Sequence, residues 1–109
     1  FVFEEVFIPA LEQFRPDAVI ISAGQDALFD DPKGGMVLFP ADYGILTGIL
    51  RDATDHSLAL VLEGGYGPSH GEAVRQIFTS LHGSPVPPCQ SEPHRTTRDI
   101  VAALKKIRT

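Results

Sequence analysis

The chain has 109 residues, of which 43% are hydrophobic, and its formal net charge is −5 at pH 7. This length suits one domain, no apolar run approaches the ~20 residues that a membrane helix needs, and the acidic balance argues against direct binding to nucleic acid. The single cysteine, Cys89, excludes an internal disulfide and a cysteine metal cluster. It fits a reducing compartment, so we expect a cytoplasmic protein, or a nuclear one if the source is eukaryotic.

Charge is distributed unevenly along the chain. Residues 1–94 carry four basic and thirteen acidic side chains, whereas residues 95–109 carry five basic and one acidic. We interpret the basic end as the solvated face of a helix, with an interaction tail as the alternative. Phe1 already belongs to an amphipathic pattern and follows no signal peptide. We therefore expect this chain to be part of a larger protein.

The first predicted element is a helix, because Phe3, Phe7, Leu11 and Phe14 recur at helical spacing. Pro9 lacks a backbone donor, which predicts either a kink or a helix that restarts with Pro9 in its first turn. The sequence Arg-Pro-Asp at 15–17 then ends the helix.

Two apolar runs, at about 18–23 and 58–62, are the predicted strands. Continuous runs of Val, Ile and Leu are typical of parallel strands that are buried on both faces. Asp26 follows the first strand and Tyr66 follows the second. Because ligands bind beyond the carboxyl ends of such strands, we expect both side chains at one edge of the sheet.

Three further helices are predicted after the first strand. They are expected to begin at Pro40 and end around 52–55, to span 70–81, and to span 98–108 with Thr97 as the N-cap. Helical spacing favours inward-facing Val74, Ile77, Phe78 and Leu81 in the second of these helices, and Ile100, Val101, Leu104 and Ile107 in the last. The domain division is then 1–83 for an α/β unit, 84–96 for a proline-rich linker and 97–109 for a C-terminal helix. The order of elements predicts the α/β class, with a parallel sheet flanked by helices.

Asp26 and the segment at 63–66 are the candidate functional residues. Asp26 could ligate a metal, act as a base or cap a turn, and Asp30 and Asp31 before Pro32 most simply terminate a turn. Gly64 and Gly65 allow the backbone to approach a ligand closely. Tyr66 could donate a hydrogen bond to an oxyanion, or it could simply pack beside a tight turn.

Nucleotide binding is a weaker interpretation of the same loop. Its glycines fail the dinucleotide fingerprint, because the third one falls at Gly71, and there is no lysine for a phosphate-binding loop. The histidines show no spacing typical of a metal site, and no Ser–His–Asp set can be assigned. The residues alone support half of a site.

A resemblance to a known family adds to this interpretation. FRPDAVIISAGQDA at 14–27, Asp-Pro and Gly-Gly at 31–35, and LEGGY at 62–66 resemble the histone deacetylase superfamily in order and spacing. That superfamily includes the class II deacetylases, the histone-deacetylase-like amidohydrolases and the acetoin-utilisation proteins. The resemblance covers about residues 3–83 and implies a partial arginase/deacetylase-like fold.

The resemblance also implies a zinc-dependent amidohydrolase. It assigns Asp26 as a Zn²⁺ ligand, Tyr66 as the donor to the substrate carbonyl oxygen, and Gly64, Gly65 and Gln25 to the substrate pocket. Zinc with three protein ligands keeps an open position and lowers the pKa of its water to about 7. Gln25 departs from the Phe that many members have at this position, which affects the substrate channel.

The family's other zinc ligands, Asp-x-His, and its paired histidine bases are expected upstream of this sequence. We therefore predict that these 109 residues form the C-terminal portion of a deacetylase acting on acetyl-lysine or a similar acetylated amine, and that they are inactive alone. The alternatives are a non-catalytic interaction module and, less favoured, a small nucleotide-binding domain. A chain with a thin sheet could also bury apolar surface in a homo-oligomer.

Overall fold

A computed structural model of the chain describes residues 1–54, 57–88 and 91–107. Cys89, from which the reducing compartment was predicted, lies outside these ranges. The elements are a π-helical turn at Phe3–Phe7, α1 at Ile8–Phe14, β1 at Ala18–Ala23, α2 at Pro40–Asp52, β2 at Ser57–Leu62, α3 at His70–Leu81 and α4 at Arg95–Ile107. This order confirms the predicted α/β class.

The first helical segment changes geometry immediately before Pro9. A π-helical turn is followed by α1, and Pro9 lies in the first turn of α1. Because proline has no N–H to donate, a regular ladder of hydrogen bonds cannot continue through it. The predicted restart of the helix at Pro9 is therefore confirmed. Arg15 ends α1 in the left-handed conformation, with φ of 51°.

The sheet contains β1 and β2, paired in parallel from Ala18 opposite Ser57 to Ala23 opposite Leu62. The parallel pairing is as predicted, but burial on both faces is wrong for this chain. Exposure alternates along β1, where Ile20 is 74% exposed, and Val61 of β2 is 57% exposed. The described residues place helices against one face only, so the outward apolar side chains meet solvent.

The core lies between the sheet and the pair α2 and α3. Its buried side chains and those packed against them are Leu28, Tyr43, Ala73, Ile77, Leu38 and Leu60. Helix α2 begins with Pro40, whose fixed φ suits a first turn, and Asp42 accepts a hydrogen bond of 2.7 Å from the Phe39 N–H. Leu28 and Leu38 come from the loop between β1 and α2, so that loop is part of the core.

Two predicted helix faces differ from the structure. In α3 the buried residues are Ala73, Ile77 and Ser80, whereas Phe78 is exposed. Helix α2 packs closely against α3, where an added Cβ on Gly44 would meet Gln76 and one on Gly48 would meet Ser80. Helix α4 begins at Arg95, three residues before its predicted start, and buries only Val101 of the four apolar residues assigned inward.

The proline-rich segment after α3 lies against the two packed helices. The Arg51 guanidinium of α2 donates hydrogen bonds to the carbonyl oxygens of Ser80 and Ser84. Val86 occupies a notch at Gly48, where an added Cβ would lie 2.4 Å from Val86 Cγ2. This part of the predicted linker is therefore attached to the α/β unit. In the described ranges, no helix has both the length and the apolar character needed to cross a membrane.

Candidate functional site

The carboxyl ends of β1 and β2 lie side by side and open into two loops. The Glu63 N–H donates to the Ala23 carbonyl at 3.3 Å, which extends the pairing to the end of the strands. The buried Tyr43 hydroxyl donates to the Gly24 carbonyl at 2.9 Å and fixes the first residue of the first loop. Since the strands are parallel, Asp26 and Tyr66 leave the sheet at the same edge, as predicted.

Asp26 is exposed, and its carboxylate folds back over Gly24. A Cβ on Gly24 would lie 3.0 Å from Asp26 Oδ1 and 3.5 Å from the Glu63 carbonyl oxygen. A side chain at position 24 would therefore crowd the carboxylate. Within the described part of the chain, no side chain or backbone group donates a hydrogen bond to this carboxylate, so its oxygens are available to a cation.

Tyr66 follows two glycines that both have positive φ, 77° at Gly64 and 104° at Gly65. This conformation favours glycine, and it turns the chain so that a Cβ on Gly64 would lie 3.9 Å from the Tyr66 hydroxyl. The ring is 67% exposed and lies 5.1 Å from Lys33 Nζ. The Tyr66 hydroxyl thus lies beside Gly64, while the Asp26 carboxylate lies beside Gly24, at the end of the neighbouring strand.

Gln25, assigned to the substrate pocket, is fully buried at 0% exposure. A Cβ on Gly65 would lie 2.5 Å from Gln25 Cβ, so Gly65 packs directly on this side chain. Neither atom of the Gln25 amide has a hydrogen-bond partner among the described residues. The roles of Gln25, Gly64 and Gly65 in a substrate pocket stay predictions.

Asp31 joins the two loops. Its Oδ1 accepts hydrogen bonds from the N–H groups of Lys33 and Gly34, both at 2.8 Å, and its Oδ2 accepts one from the Tyr66 N–H at 2.7 Å. These backbone donors, the Tyr66 N–H foremost, lower the pKa of the carboxyl below its usual value. Asp31 is therefore a charged acceptor at neutral pH.

Asp30 forms a second connection between the loops. Its Oδ2 accepts hydrogen bonds from the N–H of Ser69 at 3.0 Å and from the hydroxyl of Ser69 at 2.6 Å. The intervening Gly67 is buried, and an added Cβ there would lie 2.8 Å from Asp30 Oδ1. Adjacent aspartates thus hold the second loop at residues 66 and 69.

The bonds from Asp30 and Asp31 to the second loop are the features that sequence reasoning missed. Asp31 does form the predicted turn, since it accepts from Lys33 and Gly34. Its longer contact joins residues 35 positions apart in the chain, which local turn propensity does not encode. The glycines at 64, 65 and 67 were the sequence signal for such contacts. A loop with so few side chains is held in place by hydrogen bonds to groups from other parts of the chain.

Asp26 is the one carboxylate here with the position and freedom of a metal ligand. No group of three or more His, Cys, Asp or Glu within the described ranges could hold a metal ion. The arrangement therefore offers one anionic ligand and, from Tyr66, one hydroxyl donor.

Comparison with known proteins agrees with the fold. A family model for the histone deacetylase domain matches residues 1–81. Polyamine deacetylase HDAC10 of Danio rerio is 40% identical, over 78% of this chain and 13% of its own length. Histone deacetylase 18 of Arabidopsis thaliana is 30% identical, over 96% of this chain and 16% of its own length.

Solved structures show the same likeness. The HDA15 HD domain superposes with a TM-score of 0.80 at 32% identity, covering 97% of this chain and 29% of that one. The histone deacetylase Clr3 superposes with a TM-score of 0.83 at 30% identity, covering 97% and 18%. The chain thus spans less than a third of the length of each of these proteins. Since the domain model covers three quarters of its residues, the chain belongs to the histone deacetylase family.

Proposed function

We propose that this chain supplies one zinc ligand, Asp26, and one oxyanion donor, Tyr66, to a deacetylase that hydrolyses acetyl-lysine or a similar acetylated amine. The observation that carries the proposal is their placement. The two residues follow adjacent parallel strands at the carboxyl edge of the sheet, where the Asp26 carboxylate lies beside Gly24 and the Tyr66 hydroxyl lies beside Gly64. A metal ligand and a hydroxyl donor at one edge can act on the same carbonyl group.

The residues present fit one carboxylate ligand of a zinc site. The Asp26 carboxylate is solvent-accessible, and carboxylate oxygens are among the ligands that zinc takes in proteins. The remaining ligands are outside the described residues of this chain. When bound, zinc would polarise the acyl carbonyl and activate a water molecule.

The contribution of Tyr66 is electrostatic. A tetrahedral intermediate places negative charge on the former carbonyl oxygen, and a hydroxyl aimed at that position stabilises the transition state more than the ground state. The two positive-φ glycines, and the hydrogen bond that the Tyr66 N–H donates to Asp31, hold the backbone that carries this hydroxyl. The exposed position of the ring leaves this hydroxyl accessible to a substrate.

The relatives support an acetylated amine as the substrate class. One is named a polyamine deacetylase and another a histone deacetylase, and in both the substrate is an acetamide formed on an amine. We keep acetyl-lysine and acetylated polyamines together as the class, because the residues of this chain contact only the acyl end in the proposed role.

The nucleotide alternative has less support at this edge. The N–H groups of Tyr66 and Ser69 already donate to the carboxylates of Asp31 and Asp30. A phosphate would need such free N–H groups and would be repelled by the two carboxylates. The alternative of a non-catalytic interaction module is tested by measuring whether the intact protein turns over an acetylated substrate.

The test uses the intact protein that contains this sequence. We would compare Asp26→Asn with Asp17→Asn, which removes an exposed carboxylate at the opposite end of β1. Bound zinc and turnover of an acetyl-lysine peptide and an N-acetylated polyamine would be measured for each. Loss of zinc and turnover in Asp26→Asn alone supports the proposal. Unchanged zinc content in Asp26→Asn would overturn the ligand assignment, and no turnover by the wild type would favour an interaction module.

A further inference from the structure

The Asp31 carboxylate is hydrogen-bonded to both loops of the candidate site, although Asp31 is neither the proposed zinc ligand nor the proposed hydroxyl donor. One of its oxygens accepts from the Tyr66 N–H at 2.7 Å. The other accepts from the Gly34 N–H at 2.8 Å. The two carboxylate oxygens thus connect backbone groups of two different loops.

Gly34 in turn lies directly against the backbone of Asp26. An added Cβ at position 34 would lie 1.6 Å from the Asp26 carbonyl oxygen and 2.8 Å from its carbonyl carbon. A side chain at position 34 would therefore overlap the Asp26 carbonyl group, and its absence lets the Gly34 backbone lie directly against that group. Two contacts therefore connect Asp26 with Tyr66. The Asp26 carbonyl group lies against Gly34, and the Asp31 carboxylate accepts hydrogen bonds from the N–H groups of Gly34 and Tyr66.

We propose that Asp31 is a positioning residue that sets the placement of the Tyr66 hydroxyl relative to Asp26. The inference rests on the proposed function and deepens it. Charge-assisted hydrogen bonds from three backbone donors are stronger than neutral ones. They give a single side chain control over the backbone of both loops.

The second loop needs such an anchor for two reasons. Gly64 and Gly65 have no side chains that could pack in the core. Because glycine can adopt many backbone conformations, their positive φ is not fixed by the residues themselves. The Tyr66 side chain is itself two-thirds exposed, so packing does little to hold it. The bond to Asp31 is made by Tyr66 itself, whereas Asp30 binds three residues further on.

Asp30→Asn is the matched control for Asp31→Asn. Both changes remove one carboxylate from the same loop, and both disturb a contact to the same partner loop. An amide nitrogen at position 31 cannot accept from the Tyr66 N–H while the remaining oxygen binds Lys33 and Gly34. If both substitutions merely loosen the loops, the two variants should lose activity to the same extent. If Asp31 positions Tyr66, Asp31→Asn should lower activity more than Asp30→Asn.

The first measurement is amide hydrogen exchange in the intact protein. We expect Asp31→Asn to speed exchange at Tyr66 by about 10-fold or more, the scale of one lost hydrogen bond to a charged group. Exchange in β2 should stay unchanged. Asp30→Asn should speed exchange at Ser69 and leave Tyr66 within about 2-fold. Unchanged Tyr66 exchange in Asp31→Asn would overturn the proposal without reference to activity.

The second measurement is a double-mutant cycle with Tyr66→Phe. Misplacement of a catalytic group by about 1 Å costs on the order of 100-fold, so we expect Asp31→Asn to lower kcat by about 10- to 100-fold with KM changed by less than about 3-fold. In the Tyr66→Phe background, Asp31→Asn should lower kcat by less than about 2-fold, because it acts through the missing hydroxyl. Additive losses would show a merely structural role and overturn the inference.

Failure of the proposed function gives a different pattern. If the wild-type protein lacks turnover, the proposed function fails. Positioning by Asp31 for catalysis then fails with it, although faster exchange at Tyr66 would still demonstrate the hydrogen bond. If wild-type turnover is present and Asp31→Asn retains it, the proposed function stands and only the role of Asp31 is overturned.

Discussion

The two tyrosines of the chain show how one residue type serves two purposes. Tyr43 is 8% exposed and donates its hydroxyl to the Gly24 carbonyl, at the start of the loop that carries Asp26. Tyr66 is 67% exposed and its hydroxyl lies over Gly64. The first hydroxyl satisfies a backbone acceptor within the fold, and the second belongs to an exposed side chain, as the proposed donor to a substrate would need.

Removing each hydroxyl should therefore have opposite consequences. We expect Tyr66→Phe to lower kcat of the intact protein by at least ~10²-fold, the usual scale for losing an oxyanion donor. Its free energy of unfolding should change by less than about 0.5 kcal/mol, as for other exposed sites. Tyr43→Phe should destabilise the protein by about 1 kcal/mol, because a hydrogen bond in the core region is lost.

Thermal unfolding and steady-state kinetics on the same two variants provide the measurement. Each variant serves as the control for the other, since both remove one phenolic oxygen. Near-normal turnover of Tyr66→Phe would remove Tyr66 from the mechanism. A loss of stability equal to that of Tyr43→Phe would show that Tyr66 is a packing residue.

Asp31 predicts a specific pH dependence of stability. Its pKa in the folded chain is lowered from the ordinary value of 3.8, first by the Tyr66 N–H, so between the two values the unfolded chain binds more protons. The stabilisation is therefore fully present above about pH 4–5 and is lost as pH falls through the folded pKa. Asp31→Asn should abolish this dependence. The melting temperatures of wild type and variant should differ by a constant amount from pH 5 to 8 and converge in stronger acid. A difference that stays constant into strong acid would contradict the prediction.

At the scale of elements, the sequence encoded what depends on local pattern. The bounds of β1 and α3, the restart of the helix at Pro9 and the first turn at Pro40 follow from periodicity and from proline geometry. The inward face of α3 did not follow, since the buried residues include the small Ala73 and Ser80 whereas Phe78 is exposed. Hydrophobic periodicity predicts that a face is buried, but it does not encode the space available there.

The candidate site divides in the same way. Asp26 and Tyr66 could be named because strand ends and a resemblance both point to them, and the parallel pairing that brings their loops together follows from the element order. The contacts of Asp31 with Tyr66 and of Asp30 with Ser69 could not be named, since each joins distant parts of the chain. Apolar strands likewise indicate burial without showing which molecule or segment provides it.

The packing of α2 gives a prediction at the same scale. An alanine inside a helix is favoured over glycine by about 1 kcal/mol, but at position 48 the Cβ would lie 2.4 Å from Val86 Cγ2 and 2.9 Å from Ser80 Oγ. Overpacking of this kind costs typically 1–3 kcal/mol. We therefore expect Gly48→Ala to destabilise the protein by about 1 kcal/mol, measured by denaturant unfolding.

Gly71→Ala is the matched control for Gly48→Ala. Gly71 lies in the first turn of α3, and a Cβ there would meet nothing within 4 Å. This variant should be neutral or more stable by up to about 1 kcal/mol. Combining Gly48→Ala with Val86→Ala should reduce the penalty, because the overlap with Val86 Cγ2 is removed and only the contact with Ser80 Oγ remains. If Gly48→Ala alone is stabilising, Val86 does not occupy the notch in solution.

At the scale of the whole molecule, the described residues form a packed core but hold no group of three potential metal ligands. Helices α2 and α3 cover one face of the sheet, while Ile20 and Val61 on the other face meet solvent. The chain spans 13% and 16% of the lengths of two curated relatives. One face of the sheet is thus uncovered among the described residues, and the proposed zinc site would take its remaining ligands from outside them.

The last prediction follows from that incompleteness. Catalytic zinc sites use three protein ligands, whereas no group of three potential ligands is present within the described ranges. A single carboxylate binds zinc weakly and leaves no base to activate water, so we expect the 109-residue chain alone to show no zinc-dependent deacetylation. The assay would compare the purified, mass-verified chain with its Tyr66→Phe variant and with the intact protein on an acetyl-lysine peptide. Activity that is equal in the chain and its variant would come from a contaminating enzyme. Activity that is lost in the variant and restored by zinc would contradict the prediction, and it would show that these residues form a complete catalytic site.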